Sequence, residues 1–202
     1  KLHDYFLTIT PRRDSTLATM ERYAARHDFP IIGPLVGRFL YQMATILNAG
    51  SVFELGSGYG YSAYWFSLAM GKKGKIVLTD GDPKNLESAQ RYFKSAGLKS
   101  KFEFRKGDAR RIIRDYDGPY DIILNDIDKL GYPETIELVA PRLRPGGLFI
   151  TDNTIRHGRV TSAKPDKTTR AVLEFNRRMY ADKRFLTTIL PLRDGLTVGL
   201  RR

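Results

Sequence analysis

Short apolar runs alternate with longer amphipathic stretches through most of this chain. Apolar residues at helical spacing indicate helices, whereas runs of about five apolar residues between turn signals indicate buried strands. Because strands that are joined by helices pair in parallel, with helices covering both faces of the sheet, this alternation predicts an α/β fold. The predicted strands are residues 51–55, 75–79, 101–105, 120–125 and 147–151, and the predicted helices between them are residues 61–70, 83–96, 109–114 and 132–143.

The two ends of the chain depart from this alternation. Two helical patterns, at residues 14–27 and 31–47, precede the first strand. Near the C-terminus a helix at residues 167–180 is followed by two strand-like runs, 185–192 and 196–200, joined by Arg193-Asp194-Gly195 as a hairpin signal. We therefore expect a doubly wound, mostly parallel, seven-stranded sheet of the Rossmann-like type, with a C-terminal antiparallel hairpin and extra N-terminal helices.

No Pro- or Ser-rich linker divides the 202 residues, and this length is enough for one α/β domain with a substantial core. We expect a single domain over residues 1–202, in which residues 1–49 form the N-terminal helices and residues 50–202 form the core. The chain has no cysteine, which excludes a disulfide framework, a thiolate metal site and a cysteine nucleophile. With neither an apolar run of about 18 residues nor a signal pattern, we expect a cytoplasmic protein.

A glycine-rich turn follows the first predicted strand. The sequence Glu54-Leu55-Gly56-Ser57-Gly58-Tyr59-Gly60 leads from that strand into a helix, and its glycines leave room for a ligand above the turn. The spacing G-x-G-x-G after Glu54 differs from the G-x-G-x-x-G of dinucleotide sites, which disfavours a nicotinamide oxidoreductase. It is the spacing typical of methyltransferases, so we expect S-adenosylmethionine (SAM) as the cofactor.

A second landmark for the cofactor is Asp80, at the end of the next apolar run. It lies about 20 residues beyond the glycines, where an acidic residue commonly binds the ribose hydroxyls. The alternative is that Asp80 only starts a turn, and that Asp82 and Pro83 begin the following helix.

Oxygen-bearing side chains follow the fourth and fifth predicted strands. Asp126 comes directly after one strand, and Asp152 and Asn153 come after the next. Neighbouring strands are about 4.8 Å apart, so residues at their ends can share one ion. Two carboxylates and an amide oxygen suit a hard cation such as Mg²⁺, and Asp126, Asp152 and Asn153 are therefore the predicted ligands. The alternative is that these acids cap helices and that Asn153 forms a turn.

Lys129 lies three residues beyond Asp126, so a turn would bring its ammonium group to the same site. Near a dication the pKa of a lysine falls, and such a lysine can act as a general base toward a hydroxyl. The cation would also acidify a coordinated hydroxyl. We expect Lys129 to be the catalytic base, although a lysine at such a position is also common on protein surfaces.

The net charge of +12 suggests an anionic partner. From residue 156 onward, twelve Lys or Arg face four Asp or Glu, so this quarter of the chain supplies eight of the twelve net charges. A basic C-terminal quarter could attract RNA or polyphosphate, but an ordinary solvated surface explains it equally well. The histidines at 3, 27 and 157 give no clear signal of metal binding.

Taken together, these motifs resemble the cation-dependent O-methyltransferase family that includes catechol and caffeoyl-CoA O-methyltransferases. The resemblance extends over nearly the whole chain and includes Arg144-Pro145-Gly146-Gly147 and Thr151-Asp152-Asn153. It implies methyl transfer from SAM to a hydroxyl, catalysis at Lys129 and Asp126, a Mg²⁺-type ion at Asp126, Asp152 and Asn153, and a homodimer. The cofactor residues that it implies are Glu54, Gly56, Gly58, Ser62, Asp80, Asp108, Ala109 and Asp126.

The methyl acceptor stays open at this point. Residues 25–31 and 190–196 are similar to the bacterial branch of the family that methylates 5-hydroxyuridine in tRNA, so the acceptor is either a catechol-like small molecule or that nucleoside in tRNA. A third possibility is a non-catalytic, basic RNA-binding protein with a vestigial cofactor pocket. The complete set of acids, amide and lysine argues against it, because a pure binder does not need them together.

Overall fold

The computed structural model describes residues 2–202, whose strands form one seven-stranded sheet in the order β3-β2-β1-β4-β5-β7-β6. Strands β1 to β5 are parallel, and β7 pairs antiparallel with both β5 and β6. The strands are β1 (Ser51–Leu55), β2 (Lys75–Asp80), β3 (Lys101–Lys106), β4 (Tyr120–Asn125), β5 (Leu143–Thr151), β6 (Phe185–Leu190) and β7 (Leu196–Arg201).

Eight α-helices surround the sheet in the described part of the chain. They are α1 (Leu2–Ile9), α2 (Ser15–His27), α3 (Gly33–Ile46), α4 (Tyr61–Met70), α5 (Pro83–Ser95), α6 (Ala109–Ile112), α7 (Tyr132–Val139) and α8 (Lys167–Ala181). Asp14, Asp82 and Asp166 accept backbone N–H bonds at the starts of α2, α5 and α8, which fixes where these helices begin.

Two apolar layers form the core, one on each face of the sheet. Residues Ile76, Leu78, Ile122 and Leu124 point toward α2, α3, α4 and α5. Their neighbours in the strands, such as Phe53 and Phe149, point toward α6, α7 and α8. Successive side chains of a strand alternate between its faces, so a strand buried on both sides reads as a continuous apolar run.

The register of the central strands aligns their carboxyl ends. Leu55 of β1 pairs with Asn125 of β4, and Asn125 pairs with Thr151 of β5. The pairing continues for one residue beyond the strands, because Asp126 N donates to the Leu55 carbonyl (2.9 Å) and Asp152 N donates to the Asn125 carbonyl (3.1 Å). Asp126 and Asp152 are thereby held side by side at one edge of the sheet.

The predicted doubly wound sheet and its C-terminal hairpin are confirmed. One difference is α1, a third N-terminal helix, which has no buried residue and therefore no core-facing stripe in the sequence. Another is β5, which begins at Leu143 because that residue pairs with Tyr120 before a register shift. The predicted helices 109–114 and 132–143 end early as 3₁₀ turns. No helix among residues 2–202 is long and apolar enough to cross a membrane.

Candidate active site

Two adjoining cavities open at the carboxyl ends of the central strands. One, of about 390 Å³, lies over β4 and β5, and the other, of about 740 Å³, lies over β2 and the loop after β3. Both are lined by Gly56, Asp80 and Asp126. In open α/β sheets ligands bind at this end, where the strand order reverses beside β1. A larger apolar cavity of about 930 Å³ lies elsewhere, between α1, α3 and α4.

The glycine turn after β1 is built as expected, but for a partly different reason. Gly56 and Gly60 have φ angles of +81° and +85°, which side-chain-bearing residues rarely adopt. A Cβ at Gly56 would lie 2.7 Å from the Asp126 carbonyl oxygen, and one at Gly60 would lie 2.6 Å from the ring of Phe93. Close protein packing therefore also requires these two glycines, in addition to the room that the sequence analysis expects all three to leave for a ligand.

The carboxyl group of Glu54 lies at the end of β1, just before this turn. Its side chain is fully buried, and neither carboxylate oxygen has a hydrogen-bond partner. Burial raises the pKa of Glu54 to about 8; the Ser62 hydroxyl lowers it and the nearby Asp126 raises it further. A buried carboxyl without a partner is costly, so this group fits a cationic ligand atom at the mouth of the turn.

The other predicted cofactor residues line the two cavities. Asp80 lines both cavities, accepting from Gly58 N (2.9 Å) through Oδ2 and from Asn85 Nδ2 (3.0 Å) through Oδ1. Asp108 and Ala109 line the cavity of about 740 Å³, where Asp108 precedes α6 as its N-cap and pairs with Arg110 (2.8 Å). Gly58 and Ser62 line the smaller one.

The predicted ligand set converges on the smaller cavity. Asp126, Asp152 and Asn153 all line it, and Asp152 is only 1% exposed. Asn153 adopts a left-handed conformation (φ +57°) and donates its backbone N–H to Asp152 Oδ1 (2.8 Å). The Tyr132 hydroxyl anchors the Asp152 carbonyl (2.8 Å). No group of three or more His, Asp or Glu side chains suited to a metal occurs in the described residues, so this set stands on two carboxylates and one amide.

The electrostatics of the two carboxylates fit a bound cation. Burial, followed by repulsion from Asp126, raises the pKa of Asp152 to about 7. Burial also raises the pKa of Asp126, although Lys129 and Arg193 oppose the shift. For both carboxylates burial outweighs the positive charge of Lys129 and Arg193, and a divalent cation would supply the further positive charge that stabilises the ionised pair. The donor set is also the one that a hard cation prefers.

Lys129 lies where the sequence predicted, at the rim of this cavity. Its Nζ donates to Asp126 Oδ1 (3.1 Å) and to the Ile127 carbonyl (3.4 Å), and it lies 5.5 Å from the centre of the Tyr132 ring. Asp126 cannot give the same oxygen fully to both Lys129 and a cation. Cation binding would therefore weaken this ion pair and leave Lys129 available to another partner.

Three further side chains at the smaller cavity were not assigned a role in the sequence. Arg156, His157 and Arg193 belong to the loop after β5 and to the turn between β6 and β7. His157, which gave no signal in the sequence, is 77% exposed at the rim. Chain order could not place them, because the turn lies about 40 residues beyond the loop that it contacts. The hairpin signal at 193–195 was the available clue.

The basic C-terminal quarter is more strongly neutralised than its composition suggests. Arg184 pairs with Asp182 (2.6 Å) and Glu137 (2.8 Å), Arg178 pairs with Glu137 (3.5 Å), and Arg201 donates to backbone carbonyls. These contacts hold arginines of α8 and β7 against the domain itself. The charge excess alone is therefore weak support for an RNA surface.

Comparison with known proteins yields consistent matches. Residues 11–202 match the family described as O-methyltransferase. A catechol O-methyltransferase of Niastella koreensis is 30% identical, covering 97% of this chain and 94% of the relative, and caffeoyl-CoA O-methyltransferase 2 of Petunia hybrida is 32% identical, covering 99% and 90%. An O-methyltransferase from Bacillus cereus, solved in complex with SAH, superposes with a TM-score of 0.87 at 26% identity, covering 98% of this chain and 96% of that one. A methyltransferase from Geobacter sulfurreducens gives 0.85 at 28% identity, covering 99% and 94%.

Proposed function

This chain belongs to the cation-dependent, SAM-dependent O-methyltransferase family, and we propose that it methylates a hydroxyl of a catechol-like small molecule held at a divalent cation. The observation that carries the proposal is the convergence of Asp126, Asp152 and Asn153 on one cavity beside the methyltransferase glycine turn. The experiment that tests it measures transfer of a labelled methyl group from SAM to catechol, with and without chelator. We expect transfer that needs Mg²⁺ and returns when it is added back.

For the cofactor, we propose that the methionyl end of SAM lies against the glycine turn and the nucleoside end lies toward β2 and β3. Glu54 would face the ammonium group, and Asp80 the ribose hydroxyls. The cavity of about 740 Å³, which Gly107 and Ala109 line, offers room for the adenine base of SAM. The full proposed set is Glu54, Gly56, Gly58, Ser62, Asp80, Asp108, Ala109 and Asp126.

For the cation, we propose Asp126, Asp152 and Asn153 as the protein ligands, with Mg²⁺ as the candidate ion. When bound, such an ion acidifies a hydroxyl and orients it. The protein's own contribution is to fix Asp152, whose Oδ1 accepts the Asn153 backbone N–H and whose carbonyl accepts the Tyr132 hydroxyl. A fixed ligand set would help to hold the acceptor hydroxyl in one position for methyl transfer, which lowers the entropic barrier.

For Lys129, we propose the role of general base that takes the proton of the acceptor hydroxyl. Its Nζ lies 3.1 Å from Asp126 Oδ1, so it is within reach of any acceptor that binds at Asp126. The packing of its ammonium against the Tyr132 ring restricts where Nζ can go.

Replacement of Glu54 by Gln is expected to change both stability and cofactor binding. Because the pKa of Glu54 is raised from 4.5 to about 8 in the folded state, the folded protein holds a proton there that the unfolded chain has lost between these values. The free energy of unfolding without cofactor should therefore fall as the pH rises from about 4.5 to 8. Glu54→Gln removes this pH dependence, whose slope is at most roughly 1.4 kcal/mol of unfolding free energy per pH unit.

The same variant should bind SAM about tenfold or more weakly at pH 8, since the carboxylate facing the ammonium is gone. Chemical denaturation across this pH range and calorimetric titration with SAM measure the two effects. Asp117→Asn, an exposed change, is the control. Unchanged SAM affinity in Glu54→Gln would remove this residue from the proposed cofactor site.

The second candidate acceptor is 5-hydroxyuridine in tRNA, which residues 25–31 and 190–196 suggest and which the basic C-terminal quarter supports only weakly. The two acceptors differ in their expected response to salt, because RNA binding releases counterions whereas a small phenol releases few. We expect kcat/KM for catechol to change by less than about twofold between 50 and 200 mM salt, against a loss on the order of tenfold or more for an RNA acceptor. Methylation of hydroxyuridine-containing tRNA with a steep salt dependence would make RNA the acceptor.

Membership of the family speaks against a non-catalytic RNA-binding protein with a vestigial pocket, because the whole predicted set of acids, amide and lysine lines the cavity. A homodimer stays a prediction. The exposed apolar side chains of α1, which include Leu2, Tyr5, Phe6 and Ile9, are compatible with it.

A further inference from the structure

We propose that Arg156 and Arg193 form an anion clamp at the mouth of the smaller cavity, which selects acceptors that carry a carboxylate or phosphate beside the hydroxylated ring. This inference rests on the proposed function, because it concerns the acceptor of that same site. It follows from the contacts of the two arginines and from the way that the fold holds them.

Arg193 faces the cavity without using its hydrogen-bond donors. Its Nη1 lies 3.7 Å from Asp152 Oδ2, which is an ion pair beyond hydrogen-bond distance, and its side chain is 35% exposed. Gly33, at the start of α3, borders the guanidinium on another side, since a Cβ there would lie 3.8 Å from Nε. Within residues 2–202 this guanidinium donates no hydrogen bond, so its planar set of donors stays free for a ligand.

Arg156 lies in the same wall, four residues beyond Asp152. Its Nε is buried, yet it has no hydrogen-bond partner among the described residues. No other residue described accepts a hydrogen bond from its remaining nitrogens. A buried guanidinium nitrogen without an acceptor is costly, and an anionic ligand would remove that cost.

Other partly buried arginines of this protein are satisfied by the protein itself. Arg13 binds both oxygens of Glu21, Arg142 donates to the carbonyls of Tyr116 and Leu138, and Arg144 pairs with Asp121. Arg156 and Arg193, by contrast, donate no hydrogen bond to the described residues, and Arg193 has only the 3.7 Å ion pair with Asp152. Their open donors therefore point to a ligand rather than to a structural role.

Hydrogen bonds join the two segments that carry the arginines. Ile155 N donates to the Asp194 carbonyl (2.9 Å) and Thr154 N donates to the Gly195 carbonyl (3.1 Å). The buried Asp194 carboxylate accepts the His157 backbone N–H as well. These bonds fasten the turn between β6 and β7 onto the loop after β5. Arg156 and Arg193 both have a φ of +54°, a conformation that costs energy for a residue with a side chain.

The chemistry of the pair selects planar or tetrahedral oxyanions. A guanidinium presents paired N–H donors that match a carboxylate or a phosphate, and such charge-assisted bonds are among the strongest in proteins. In the proposed function the cation at Asp126 and Asp152 takes the hydroxyl oxygen of the acceptor, which leaves the anionic group to the free donors of the arginines. An acceptor would therefore place its hydroxyl at the aspartates and its anionic group against the arginines.

The test compares a neutral and an anionic acceptor. Methylation of catechol and of 3,4-dihydroxybenzoate is measured for the wild-type protein, for Arg156→Gln and for Arg193→Gln, with the exposed Arg159→Gln as the matched control. We expect the wild type to prefer the carboxylate. Each cavity variant should raise KM for 3,4-dihydroxybenzoate by about 10- to 100-fold and leave that for catechol within about twofold. Arg193→Lys should recover part of the loss.

Two further arms identify the anion and separate failures. Calorimetric titration of 3,4-dihydroxybenzoate and of 5-hydroxyuridine 5′-monophosphate, with SAH and Mg²⁺ present, shows whether a carboxylate or a phosphate is preferred. If the variants raised KM for catechol and for 3,4-dihydroxybenzoate equally, the clamp would be overturned and Arg193 would be a support of Asp152. Unchanged KM values in both variants would also overturn the clamp, as would no binding of either anion. A different result would count against the proposed function and not against the clamp. In that result no acceptor is methylated, yet the binding of the anions still depends on the two arginines.

Discussion

Asp152→Ala is expected to lower kcat for catechol methylation on the order of 10³-fold or more, while SAM binds with nearly unchanged affinity. Asp152 is almost fully buried at the end of β5, and it is not among the proposed cofactor residues. Its loss would remove the charge that holds the cation but would leave the glycine turn and Glu54 in place. Methyl transfer at saturating Mg²⁺ and calorimetric titration with SAM measure the two parts.

The controls for this variant address folding and cation affinity. Asp117→Asn, which changes an exposed carboxylate, should leave both constants unaltered. Because Asp152 is buried beside Asp126, its removal also relieves a repulsion, so the free energy of unfolding without cation should not fall sharply. An Asp152→Ala protein that is folded and retains more than about a tenth of the wild-type kcat would contradict the proposed cation site.

Lys129→Met is expected to lower kcat by about 10²- to 10⁴-fold, the usual contribution of a general base. Methionine keeps the apolar stem of the side chain, whereas the ammonium and its contact with the Tyr132 ring are lost. KM for the acceptor and the affinity for SAM should change little. Single-turnover kinetics separates the chemical step from product release.

Two comparisons show whether Lys129 acts on the proton. The rate of the variant should recover with rising pH, because hydroxide can then deprotonate the acceptor, whereas a purely structural loss would stay constant across pH. The matched control is Lys164→Met, which changes an exposed lysine. A pH-independent defect, or a defect only in KM, would assign Lys129 to binding instead.

Much of the fold could be read from the sequence because the apolar runs are buried on both sides. Strands β1 and β4 begin and end at the predicted residues, since both are covered by helices and bounded by clear turns. The helix α1 and the early part of β5 could not be read in this way. None of residues 2–9 is fully buried, and the Arg144-Pro145-Gly146-Gly147 segment has turn-type residues although it belongs to β5.

The positions of the candidate site residues followed from chain order alone where neighbouring strands carry them. Asp126 and Asp152 end adjacent parallel strands, so the sheet necessarily places them together. The role of each glycine did not follow, because Gly60 is dictated by Phe93, which lies a helix away. Arg156 and Arg193 were also missed. Their proximity depends on bonds between a hairpin turn and a distant loop, which no local pattern encodes.

The most direct measurement is the position of a metal ion in crystals of the protein grown with Mn²⁺ and SAH. Manganese takes oxygen ligands as magnesium does and gives an anomalous signal. We predict one strong anomalous peak at the smaller cavity, with oxygens of Asp126, Asp152 and Asn153 at about 2.0–2.3 Å from it. No peak at that position at saturating Mn²⁺, with the three side chains directed away from one another, would contradict the central claim.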